Sequence, residues 1–181
     1  MQHTRGKFAI LLSLIVCLVC LGAGWAVRRE LAQRALNRTL VEAARRDDLR
    51  GVRAALQRGA SPNTRATYQN QVTSLPDVWK WLRHDEELFW HDAPLIGEVA
   101  ENGGKNDEAI LKALLDAGAD VNSCDNLQRT ALMGAAGGDR VPLVRLLLRY
   151  GADRSLVSRR GWTALDEAKE YNRTRILPLL R

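Results

Sequence analysis

Hydrophobic and polar residues follow two different regimes along this chain. Phe8 to Val27 is an unbroken run without a charge, FAILLSLIVCLVCLGAGWAV. At about 1.5 Å per residue such a run makes a helix of roughly 30 Å, the thickness of a bilayer's hydrocarbon core. It predicts one transmembrane helix within an N-terminal anchor over residues 1–29, with Trp25 at the interfacial position that aromatics favour. Gly24 and Ala26 also offer a small-residue cleavage site, so a signal sequence is the alternative. Cys17 and Cys20 follow Val16 and Val19, which are not the small residues that lipoprotein processing uses. Beyond a linker over residues 30–37, apolar positions recur at helical spacing over residues 38–181.

The second regime repeats. LLDAGADVN (Leu114 to Asn122) aligns with LLRYGADRS (Leu147 to Ser155), which sets Gly118 one repeat step before Gly151, and Thr130 stands the same step before Thr163. ALQRGASPN, from Ala55 to Asn63, is a third copy. Each unit reads as two short helices and a turn. In the best copy, small residues from Ala131 to Ala136 permit close helix approach, and Val144, Leu146, Leu147 and Leu148 give the second helix its buried face. Pro142 falls in that helix's first turn, where a missing amide hydrogen is harmless. Gly59, Gly118 and Gly151 are placed as left-handed residues ending the second helices.

On these residues the body resembles an ankyrin-repeat domain, whose unit begins T-P-L-H-x-A-A and ends L-L-x-x-G-A-D-x-N. The resemblance implies an all-α ankyrin-repeat solenoid of about four helix-turn-helix repeats, near 38–63, 93–122, 130–155 and 163–181, preceded by the transmembrane helix. Several positions depart from the pattern. The stretch from Gly59 to Ala93 is nearly three times as long as the later turns, Gly118 to Thr130 and Gly151 to Thr163, and the surplus falls in an insertion over 64–91. Ala93 to Gly118 is longer by four than Thr130 to Gly151 in the next unit, and Gly103 to Asp107 (GGKND) is the natural place for that surplus. Where the family has His, this chain has Val41, Ile96, Met133 and Asp166. Pro178 should shorten or bend a last helix over Arg173 to Leu180.

Charge narrows the function. Lys and Arg total 27 against 21 for Asp and Glu, but the segment 1–29 holds four of the bases and no acid. The body is therefore close to neutral, which argues against nucleic-acid binding. Arginine greatly outnumbers lysine, in keeping with a GC-rich, bacterial genome. Arg28, Arg29, Arg34 and Arg38 outnumber Arg5 and Lys7, and by the positive-inside count they hold the body in the cytoplasm. A seven-residue tail with two cations and the α-amino group crosses poorly, however, whereas long domains translocate regardless of charge. On that balance the chain is a single-pass membrane protein with its body on the outer, periplasmic side of the inner membrane.

Candidate chemistry is sparse. The insertion carries Tyr68, Trp79, Trp81, Phe89 and Trp90, half of the ten aromatics. Ser74, Pro76 and Asp77 resemble a helix start, and a helix over about Pro76 to Trp90 puts Val78, Leu82 and Phe89 on one face. Either that face packs as a lid on the stack, or Trp79, Trp81 and Trp90 serve as partner anchors. His84, Glu87 and His91 lie on one side of such a helix, but the two histidines are about 10.5 Å apart along it, and a solvated charged face is the better reading. Cys124, the lone thiol of the body, has no base placed beside it, and no phosphate-cradling glycine loop is present. No enzyme, cofactor, metal or small-molecule substrate is expected.

The resemblance implies protein binding through a concave surface of inner helices and turn tips, here Ser123 to Arg129 and Leu156 to Gly161. Candidate contact residues are Trp79, Trp81, Trp90, Asp125, Gln128, Arg129, Arg159 and Arg160. With Arg154, the last two make a basic tip suited to an acidic patch on a protein partner. The leading function is a membrane-tethered, non-catalytic interaction module. The alternative is a secreted or periplasmic protective or immunity-type inhibitor released by signal cleavage.

Overall fold

A computed structural model describes residues 25–69 and 90–181. Residues 25–45 form α1, which pairs with α2 (Leu49–Gln57). Two strands follow, β1 (Arg65–Gln69) and β2 (Trp90–Pro94). Three further helix pairs complete the chain: α3 (Leu95–Asn102) with α4 (Asp107–Asp116), α5 (Ala131–Gly137) with α6 (Val141–Arg149), and α7 (Ala164–Glu170) with α8 (Leu177–Leu180). The fold is thus mostly helical rather than all-α. The stretch read as a linker, 30–37, is helical and continuous with the first repeat. Among the described residues no helix is long and apolar enough to cross a membrane. Most of the run from Phe8 to Val27 lies outside them, as do Trp79, Trp81 and residues 76–89 of the expected insertion helix.

Two layers result. α3, α5 and α7 pack side by side in one, and α2, α4 and α6 line the other. Between them Leu40, Val52, Ile96, Ile110, Leu114, Leu132, Met133, Val144, Leu147 and Ile176 are each no more than 1% exposed. α5 owes its central place to size: Ala131, Gly134, Ala135 and Ala136 are all buried, so both neighbouring helices close upon it. On α6 the buried residues are Leu143, Val144, Leu146 and Leu147, while Leu148 is only partly covered. Burial of each apolar stripe against the next unit holds such a stack together.

The punctuation agrees with the sequence at the tips. Gly59, Gly118 and Gly151 have φ of 92°, 90° and 84°, left-handed values that cost glycine nothing. Pro142 lies in the first turn of α6 and Pro178 in that of α8, which is a single turn. The surplus of the second unit does not form one loop. Compared with the third unit, α3 starts one residue later and is one longer, the loop 103–106 gains one, and α4 gains one. At the positions of the family's His, Ile96 and Met133 are buried core residues.

Asp166 has a different task. Its side chain accepts from Thr163 N at 3.1 Å and Thr163 Oγ1 at 2.7 Å, and its own N–H donates back to Thr163 Oγ1, closing a capping box on α7. Units are tied by asparagines instead: Asn63 and Asn122 Oδ1 accept from Asp120 and Asp153 N at 2.7 and 2.8 Å, while Asn37 Oδ1 accepts from Ser61 N at 2.8 Å within the first unit.

These contacts generate two predictions. Leu147→Ala, which opens a cavity between stacked helices, costs about 2 to 4 kcal/mol in urea unfolding. Exposed Cys124→Ser changes stability by less than about 0.5 kcal/mol; equal losses would place Leu147 outside the core. The Thr163 hydroxyl, aided by the Thr163 N–H and Lys169, holds the Asp166 carboxyl below the ordinary aspartate range. Its stabilising contribution is therefore present above the unfolded value of about 3.9 and is lost as pH falls through the lower folded value. Thr163→Ala should cost about 1 kcal/mol and return the Asp166 titration, followed by carboxyl NMR, toward the ordinary value.

Candidate protein-binding surface

The turn tips form one edge of the stack, and backbone geometry shapes them. In the tip before α5, Asp125 N donates to Arg129 O and Gln128 N to Asp125 O, both at 3.0 Å. The Asp125 carboxylate accepts from Leu127 N and Arg129 N at 2.8 Å each. In the next tip Ser158 N donates to Trp162 O at 2.9 Å and Gly161 N to Ser158 O at 2.8 Å. Arg159 N reaches across to Leu127 O at 2.9 Å, joining the two tips. On the side of the insertion, the Arg65 guanidinium donates to Cys124 O at 3.0 Å.

The residues expected to contact a partner divide accordingly. Gln128, Arg159 and Arg160 are exposed on the edge, with the Arg160 guanidinium 5.6 Å from the Trp162 ring centroid. Asp125 is half-buried and spends its carboxylate on its own turn. Arg129 turns inward: it pairs with Glu101 at 2.8 Å and lies 3.9 Å from Glu167. Trp79 and Trp81 lie outside the described residues, as do His84 and Glu87. Trp90 and His91 are in β2, not at the end of a helix. The helical spacing linking Glu87 to His91 therefore does not hold at His91.

The inner surface carries charges that, Arg129 apart, sequence reading passed over. Arg45 on α1 pairs with Glu98 on α3 at 2.7 Å, where the Glu98 side chain is only 4% exposed. Glu101, Arg129 and Glu167 then bridge α3 to α7 across α5. Gly134 makes this possible: a Cβ there would stand 2.8 Å from Glu101 Cγ. Only the glycine inside the alanine run of α5 signals this arrangement, since no fixed spacing links the charged residues. Breaking the Arg45–Glu98 pair would strand the covered Glu98 carboxylate, whereas Glu101 stays open to solvent.

The opposite edge, made of the loops between paired helices, is bound differently. Asp47 accepts from Lys105 N and Asn106 N at 3.0 Å, and Arg140 pairs with Asp107 at 3.0 Å. Burial raises the Asp107 carboxyl pKa despite the opposing pull of Arg140.

The geometry agrees with comparison to known proteins. The ankyrin-repeat family profile, in three copies, matches residues 97–181. An ankyrin repeat protein of Acanthamoeba polyphaga mimivirus is 32% identical over 119 residues, covering 62% of this chain and 71% of that protein. A second from the same virus is 34% identical over 102 residues, 55% of this chain but 13% of its own length. One from Rickettsia bellii is 29% identical over 125 residues, 66% of this chain and half of that protein. With four helix pairs stacked in two layers and a relative matched over most of its length, the chain belongs to the ankyrin-repeat family, generally non-catalytic protein-binding modules.

Proposed function

We propose that this protein is a membrane-tethered interaction module that grips a protein partner with its turn-tip edge. The observation carrying this reading is the backbone of Gln128. Its φ is 57°, whereas Gly161, one repeat later, holds the same position of the unit at 73°. Glycine occupies such a conformation freely, and a residue with a Cβ pays about 1 to 2 kcal/mol. The Gln128 side chain is exposed, so the strain is offset by no burial. Strain of that kind concentrates at binding sites, and here it aims an amide outward beside Arg159 and Arg160.

The tether rests on the uncharged run from Phe8 to Val27, and the crossing argument favours a body on the outer side of the membrane. An immunity-type inhibitor after signal cleavage is the alternative, and its mature chain would start after Ala26. Terminal sequencing of the membrane-extracted protein separates the two: the tether requires an intact head. A topology reporter fused after Arg181 fixes the side.

Gln128→Gly should raise stability by about 1 kcal/mol and weaken partner binding. Arg159→Ala with Arg160→Ala should leave the melting temperature within about 2 °C, as surface substitutions do. The same pair should weaken binding by about 2 kcal/mol or more, the scale of a hot spot. A partner retained by both variants but lost on Lys105→Ala would move the site to the opposite edge.

A further inference from the structure

The direction of α1 distinguishes the two edges of the stack. α1 is more than twice as long as α3, α5 or α7, and the excess is N-terminal. The first turn tip lies beside its middle: Gln33 Nε2 donates to Gly59 O at 2.9 Å, and Asn37 Oδ1 accepts from Ser61 N. Residues 25–32 therefore project past the tips, away from the opposite loops at Asp47 and Lys105.

That projection is not built to lie on a bilayer. Arg28, Arg29, Glu30, Arg34 and Arg38 are all exposed. At about 100° per residue the sector of residues 25–32 that holds Val27 and Leu31 is about 160° wide, but Arg34 and Arg38 fill it on the next two turns, so over the exposed length from Arg28 to Arg38 no charge-free sector exceeds about 100°, and one such sector, with Gln33, Asn37 and Leu40, faces the domain. An in-plane helix needs one continuous apolar face. Trp25, Val27 and Leu31 are nonetheless 64%, 58% and 58% exposed, and the first two close the uncharged run.

Resting on the tether proposed above, we infer that α1 stands upright as a stalk, so that the turn-tip edge faces the membrane and the opposite loops point away. At about 1.5 Å per residue the tips stand about 9 to 15 Å beyond Val27, while the loops at Asp47 lie about 30 Å beyond it. The headgroup layer takes up roughly 5 to 7 Å, so the tips clear it by about 2 to 10 Å, a slot that admits an extended segment but not a helix, which is about 10 to 12 Å across. The occupant of the slot is an acidic juxtamembrane segment of another protein held at the same surface. Its carboxylates match the exposed guanidinium groups of Arg154 and Arg160 on that edge.

Cys124 supplies a native probe on the tip. In full-length chain carrying Cys17→Ala and Cys20→Ala, a nitroxide on Cys124 is compared with one on Lys105→Cys, the latter with Cys124→Ser. Both are placed in phosphatidylcholine vesicles with a minor fraction of nickel-chelating lipid. Collisional relaxation at position 124 should exceed that at 105 several-fold. Equal values, or a larger one at 105, overturn the orientation while leaving the tether intact. Failure of the chain to float with the vesicles overturns the tether and the orientation with it. If phosphatidylglycerol draws the Cys124 label into the headgroups with no partner present, the tips bind lipid and the acidic protein segment is wrong.

Discussion

Close approach of three inner helices is the constraint on which the rest depends. α5 presents Ala131, Gly134, Ala135 and Ala136 to its neighbours, and none is larger than a methyl group. α3 and α7 can therefore sit near enough for Glu101 and Glu167 to share Arg129. A larger residue at Gly134 would push Glu101 aside first. Helix spacing then sets tip spacing, and only at that spacing can Arg159 N reach Leu127 O. Core, inner surface and turn-tip edge are one geometric problem solved by small side chains.

The stack is polar along both edges but for different ends. Asn37, Asn63 and Asn122 satisfy backbone N–H groups of the following tip, so the edge keeps its shape without burying much apolar area. The opposite loops turn through left-handed residues at Asp47, Gly103, Asp139 and Asn172. Asp139 and Asn172 are again one repeat step apart. Aspartate and asparagine tolerate that conformation because their short polar side chains bond locally, so three of these four turns do without glycine.

Much of this was legible in the sequence. The repeat step located the helices, the glycine turns and Pro142, because those depend on local backbone preference. Two features were not. The strands needed pairing between Arg65–Gln69 and Trp90–Pro94, a contact across an insertion whose aromatics read equally well as a helix. The charge network joins Arg45 to Glu98, and Glu101 to Arg129, through tertiary neighbours rather than fixed spacing. Gln128 was legible as an exposed tip residue. Its left-handed backbone was not, although Gly161 at the same repeat position gave the hint.

The ladder between β1 and β2 has an architectural effect. Its antiparallel register, from Arg65 opposite Pro94 to Gln69 opposite Trp90, brings the chain back within about 5 Å of where it left, one strand spacing. The stack thus meets a two-stranded clamp of fixed width, whatever length of chain lies beyond. Closing a longer excursion adds only about 0.6 kcal/mol per doubling. This junction is a natural cassette site, where segments can be exchanged between proteins of the same architecture without renegotiating the core.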